Sequence, residues 1–180
     1  MPSWLKEGRG SLCGANVSLL LREMGITKPL LVAGERTKNV FFARTGMRLP
    51  VFDAFHPNPD LQDCVAGAAL YQEKGCDGLI SVGGGSAMDT AKGIKALLMT
   101  DIAHVRANQL PSEGNVPHLA IPGTAGTGAE TTAVAVLYEN GQKLSVDHPA
   151  LLPDGVLLDG YGGVIASSSG TGADGIVVQD

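Results

Sequence analysis

The strongest chemical signal in the sequence is the run Ile80-Ser81-Val82-Gly83-Gly84-Gly85-Ser86-Ala87-Met88-Asp89-Thr90-Ala91-Lys92. An apolar stretch enters three glycines and a serine, and a helix-forming segment follows. Glycines let a backbone turn sharply and come close to a ligand. The first turn of the next helix leaves N–H groups unpaired, and they point toward whatever occupies the turn. Gly83, Gly84, Gly85 and Ser86 therefore read as a cradle for a phosphate or pyrophosphate. The spacing is neither G-x-G-x-x-G nor a P-loop, because no G-K-[ST] follows. Asp89 falls early in the helix, where the dipole favours an acid. A second loop, Gly123 to Thr132 (GTAGTGAETT), again follows an apolar run. It crowds hydroxyls, backbone amides and one carboxylate together. In an open α/β sheet such loops gather at the carboxyl ends of strands, where ligands bind.

Other chemistries find little support. The four histidines, His56, His104, His118 and His148, show no pairing at metal-ligand spacing and read as surface or structural groups. There is no G-x-S-x-G elbow, and Asp147-His148 has no identified nucleophile, so a hydrolytic triad is excluded. Cys13, Cys64 and Cys76 are too few for a disulfide scaffold and are expected to be reduced thiols. A net charge of −5 without basic runs argues against nucleic acid. No apolar run is long enough to span a bilayer and the N-terminus has no apolar leader, so no membrane role and a cytoplasmic location are expected.

The elements that must position the two loops follow from pattern. The 180 residues suit one domain, and 25 glycines are about twice the usual share of ~7%. Charged residues make up 17% and aromatics 4%, so the core must be mostly aliphatic. Short apolar runs at 29–33, 79–82, 118–122 and 155–159 predict buried strands. Periodic segments predict helices over about 13–24, 60–74 and 86–99. Residues 133–138 are strand-like, with a turn at Glu139-Asn140-Gly141. Residues 36–49 give a poor periodic signal, and no stable helix is placed after Asp159. Strands alternating with helices predict a Rossmann-like α/β domain with a mostly parallel sheet flanked by helices.

Together these motifs resemble the iron-containing (group III) alcohol dehydrogenase family, specifically its N-terminal nucleotide-binding domain. The matching residues are Pro57-Asn58-Pro59, the run from Gly75 through GGGSAMDTAK to Lys92, Ile121-Pro122, the GTAGTGAETT loop, Lys143 and DHPALLPDGVLLD at 147–159. Glycerol dehydrogenases and dehydroquinate synthases are more distantly similar. The resemblance implies hydride transfer between an alcohol or aldehyde and NAD or NADP, with Fe²⁺, or Zn²⁺ in some members, polarising the oxygen. It places the cofactor pyrophosphate at Gly83, Gly84, Gly85 and Ser86, with Asp89 as the helix acid. Thr124 and Thr127 fall toward the nicotinamide, and Lys143 near its ribose. Asp174, in Thr171-Gly172-Ala173-Asp174-Gly175, matches the first metal ligand.

The sequence also departs from the family pattern. Gly123 replaces the first threonine of the usual PTTAGTG. The strand at 29–33 ends in Gly34 where an acid often meets the adenine ribose, and Glu35 and Arg36 follow. The stretch from there to Pro57 is shorter than usual. Val178 stands where a histidine ligand is expected, and the sequence ends at Asp180, before the family's all-helical metal-binding domain. Residues 1–160 are thus expected to form an NAD(P)-binding domain and 161–180 an altered tail resembling the start of the helical domain. The isolated chain is expected to be incomplete for catalysis, and to occur as a homo-oligomer or to need the missing helical domain as partner. The alternative is a nucleotide-binding module or fragment without catalysis. Gly84→Val is expected to abolish cofactor binding, by filling the cradle and by opposing the backbone angles there.

Overall fold

The computed structural model describes residues 5–8, 12–114, 116–123 and 126–159. Short apolar runs bounded by glycine or proline form its strands. In chain order these are β1 (Leu5–Gly8), β2 (Pro29–Ala33), β3 (Val51–Phe52), β4 (Gly78–Gly83), β5 (His118–Pro122), β6 (Val134–Glu139), β7 (Gln142–Asp147) and β8 (Gly155–Asp159). Six of them make one sheet in the order β1-β8-β5-β4-β2-β3, and every pairing in it is parallel. β6 and β7 form a separate antiparallel hairpin. The expected strands and the Rossmann-like parallel sheet are present.

Five helices accompany the strands among the described residues: α1 (Gly14–Glu23), α2 (Glu35–Thr45), α3 (Leu61–Lys74), α4 (Gly85–Met99) and α5 (Ile102–Arg106). Alternation along β2 shows how both faces of the sheet are covered. Leu30 and Val32 pack with α3, α4 and the hairpin, while Leu31 packs with α1 and α2. All five residues of β2 are buried, so the strand reads as a continuous apolar run. Two glycines let α3 and α4 approach closely. A Cβ on Gly67 would fall 2.3 Å from Ile94 Cδ1, and one on Gly93 would fall 2.4 Å from Cys64 Sγ. Gly67 and Gly93 thus serve helix packing and not turns.

The helix α2 occupies a stretch where the sequence pattern predicts none. Its apolar residues do not make a broad face, and Phe41 alone is buried. What stabilises it lies elsewhere: Glu35 in its first turn, Arg44 in its last, and Gly46 closing it at φ 70°. Arg44 forms an ion pair with Asp159 at the end of β8. That pair ties the last turn of α2 to the end of β8. The three cysteines are free thiols, as expected, and burial between α3 and α4 pushes the Cys64 thiol far up. No helix among the described residues is long and apolar enough to cross a membrane. The expectation of no stable helix after Asp159 falls outside the described residues.

Candidate functional site

Strand order decides where a ligand can enter. From β2 the chain moves outward to β3, and from β4 it moves the other way to β5. A crevice therefore opens between the carboxyl ends of β2 and β4, the switch point at which open α/β sheets bind ligands. Two glycine-capped helices begin there. Gly34 caps α2 and Gly84 caps α4, and neither supplies a side chain to the first-turn N–H groups. By contrast, α3 closes its own N-terminus with a capping box in which Asp60 and Asp63 accept backbone N–H groups. The glycine loop thus keeps its donors available for an anion.

The geometry of this loop corrects one expectation. Gly83, not Gly84, carries the unusual backbone, with φ 139°. Gly84 is extended, at φ −90° and ψ −164°, a conformation open to any residue. Backbone strain therefore argues against a side chain at 83 and not at 84.

The threonine loop meets the glycine loop directly. The Gly123 N–H donates to the Gly83 carbonyl at 2.8 Å. A Cβ on Gly85 would lie 3.3 Å from Thr127 Oγ1, so the two loops are in contact. Ser86 Oγ donates to the Pro57 carbonyl, which ties the Pro57-Asn58-Pro59 motif to the start of α4. Thr127 is exposed at this junction. Gly83, Gly84, Gly85, Ser86 and Thr127 are thereby brought together.

Other expected site residues stand apart. Asp89 accepts the Val136 N–H and so binds α4 to the hairpin; burial raises its pKa, against the pull of Lys92. Lys143 is exposed on β7, opposite Tyr138, two residues past the turn at Asn140-Gly141. Thr124 and Asp174 lie outside the described residues. Among the described residues no group of three or more His, Cys, Asp or Glu side chains could hold a metal ion. The described residues alone do not fit an iron or zinc centre.

Two lysines on α4 were not legible as site groups. Lys92 and Lys95 are fully buried. Lys95 pairs with Asp154 at 2.9 Å, and the same carboxylate accepts the backbone N–H of His118. His118 Nε2 meets Ser81 Oγ at 2.7 Å within the core. Burial, with Lys95 and Lys92 nearby, holds His118 well below its ordinary value. The one available signal was their spacing: Met88, Lys92 and Lys95 recur at the helical interval on the stripe that faces the sheet. A cavity of about 440 Å³ lined by Met99, His148 and Asp154 lies at the far end of α4. Fifteen residues of helix put it about 20 Å from the glycine loop.

Comparison with known proteins agrees with this arrangement. The family model for iron-containing alcohol dehydrogenase matches residues 2–160. The 4-hydroxybutyrate dehydrogenase of Cupriavidus necator is 36% identical over 159 residues, covering 79% of this chain and 42% of that protein. The NAD-dependent methanol dehydrogenase of Bacillus methanolicus is 31% identical over 154 residues, covering 77% of this chain and 39% of that protein. The crystal structure of sulfoacetaldehyde reductase from Bifidobacterium kashiwanohense in complex with NAD⁺ superposes with a TM-score of 0.79 at 26% identity, covering 90% of this chain and 46% of that one. The chain thus spans less than half the length of each of these proteins.

Proposed function

The chain belongs to the iron-containing alcohol dehydrogenase family, and on that premise we propose that residues 1–160 are the NAD(P)-binding domain of an oxidoreductase acting on an alcohol or aldehyde. Residues 161–180 are then a tail that resembles the start of the family's helical domain. The observation that carries this reading is the junction of Gly85 with Thr127 above the uncapped start of α4. A dinucleotide needs a cradle for its pyrophosphate beside a polar surface for its nicotinamide half, and the two loops supply both. In this reading the N–H groups of Gly85 and Ser86 bind the pyrophosphate, and Gly83 and Gly84 let it approach. Thr127, with Thr124, orients the nicotinamide. Lys143 reaches the nicotinamide ribose from the hairpin, and Asp89 keeps that hairpin on α4.

The bound nicotinamide supplies hydride chemistry, and the residues described here bind and orient it. Fe²⁺ or Zn²⁺ would belong with Asp174 and residues of a helical domain. Turnover of an alcohol or aldehyde therefore depends on groups other than the two loops, whether from a longer chain or from a homo-oligomeric partner. At the adenosine end, Gly34 presents no side chain, Arg36 is exposed, and Lys38 pairs with Asp53 at 2.5 Å. Both NAD and NADP are compatible with that surface.

Calorimetric titration with NADH and NADPH, with and without Fe²⁺, tests the proposal. Saturable 1:1 binding of at least one nucleotide is expected. Absence of binding of both by the folded chain refutes it.

A further inference from the structure

A buried lysine joins the glycine-loop helix to the threonine loop. Lys92 lies two turns into α4 and is 0% exposed. Its Nζ donates to the Ala129 carbonyl at 2.7 Å, the Thr132 carbonyl at 2.8 Å, the Val134 carbonyl at 2.9 Å and Thr132 Oγ1 at 3.1 Å. All four acceptors belong to the segment that follows Thr127. The Ala129 N–H in turn approaches Thr127 Oγ1 at 3.4 Å, and Thr127 is the residue that meets Gly85. A continuous chain of contacts therefore runs from α4 through Lys92 and residues 129–134 to Thr127, and back to the first residue of α4.

We propose that Lys92 is a positioning residue for the cofactor site: its buried ammonium, and not merely its bulk, holds the threonine loop against the glycine loop. This rests on the nucleotide-binding reading above. The chemistry of the donor set supports it. An ammonium has three N–H groups to share among the carbonyls. A neutral amine has two, and its lone pair must face a carbonyl oxygen, so the loop loses a tie and gains a repulsion. A group built only to fill the core at this position would be apolar, because burying a charge is costly unless it is fully hydrogen-bonded.

The charged and titratable groups that face Lys92 are Asp89 and Lys95 on α4, Glu130 in the turn at 129–131, and His118 on β5. From β6 it receives a backbone carbonyl. Burial pushes Lys92 down to about 8, against the pull of Asp89 and Glu130. The clamp therefore loosens as pH rises through about 8, and cofactor affinity falls with it.

The test compares the full chain with its Lys92→Met and Lys92→Gln variants. Methionine keeps the length without donors, and glutamine keeps two donors without charge. NADH and NADPH affinities are measured from pH 6.5 to 9.5, together with hydrogen-exchange protection of the amides at 126–134. In the wild type, affinity is expected to weaken above about pH 8. In Lys92→Met it is expected to be about tenfold or more weaker at neutral pH and flat across the range. Glutamine should be intermediate and also flat. Protection of 126–134 should fall in both variants while protection of β2 and β4 does not change. A folded Lys92→Met variant with wild-type affinity and the wild-type pH profile overturns the proposal. Should either variant fail to fold, a wild-type affinity that is constant across the range also overturns it. If the wild type binds neither nucleotide at any pH, the cofactor reading fails. The role of Lys92 is then decided by exchange alone, and unchanged protection in both variants rejects it.

Discussion

Substituting alanine at Gly83 and at Gly84 separates backbone strain from occupancy of the cradle. Gly83 holds φ 139°, a region nearly closed to residues with a Cβ. The space itself is not limiting, since an added Cβ would meet Ala87 Cβ at 3.4 Å, an ordinary contact. The penalty for Gly83→Ala is therefore conformational, about 1–3 kcal/mol. Alanine also restricts the unfolded chain, which returns about 0.4–1 kcal/mol to the folded state. The net loss is centred on about 1.3 kcal/mol, or about 3–5 °C in Tm for a domain of this size. Gly84→Ala meets no backbone penalty, at φ −90° and ψ −164°; the gain of about 0.4–1 kcal/mol from restricting the unfolded chain is offset by alanine's poorer fit as an N-cap, so it should melt within about 2 °C of the wild type. If the proposed cradle holds the pyrophosphate, the added methyl group stands in its way, so NADH binding should weaken without a loss of stability. In Gly83→Ala both should fall, because the chain relieves the strain by moving the N–H groups of Gly85 and Ser86. Thermal melts by circular dichroism and NADH titration of both variants read the two effects separately. The reasoning is refuted if Gly83→Ala melts with the wild type, or if Gly84→Ala is the less stable of the pair.

Two further predictions concern the polar network beneath the sheet. Asp154→Ala leaves the Lys95 ammonium buried without its carboxylate and the backbone N–H of His118 without that acceptor. A loss of about 3 kcal/mol is expected in urea denaturation, at the low end for a broken buried pair because Asp154 is 29% exposed; an unchanged midpoint would show that the pair contributes little. His118 is held well below its ordinary value by burial, with Lys95 and Lys92 adding to the effect. Below about pH 6.5 the unfolded chain takes up a proton that the folded chain does not, so this part of the stability is present above about 6.5 and is lost as pH falls. The slope is at most about 1.4 kcal/mol per pH unit. It should flatten between about pH 6.5 and 5 in His118→Gln, and an identical slope in the variant would assign the acid sensitivity to other groups.

Much of the fold was legible because its signals are local. Pro29–Ala33 and Gly78–Gly83 are short apolar runs bounded by proline or glycine, the local signature of a strand buried on both faces. Pro59 and Asp60 mark the start of α3 in the sequence and Gly75 its end, since such signals act on the backbone within a few residues; the structure makes Asp60 the cap. The glycine loop was visible for the same reason: three glycines after a strand and before a helix need no tertiary context to suggest a phosphate cradle. Helix α2 was not legible, because its residues make no apolar stripe and its last turn is held by Asp159, more than a hundred positions away.

The sequence by itself determined the alternation of strands and helices, the two polar loops at strand ends and the family to which they belong. Tertiary structure decided which loops meet. The order β3-β2-β4-β5 puts the crevice beside Gly83, and local periodicity carries no information about which strands become neighbours. It also moved the strained backbone to Gly83, since a φ angle depends on where the next helix must go. Lys92 and Lys95 are ordinary helix residues in the sequence. Only packing of α4 on the sheet strips them of water, and a charge without water must find its partners in the protein: the carbonyls of residues 129–134 for one, Asp154 for the other.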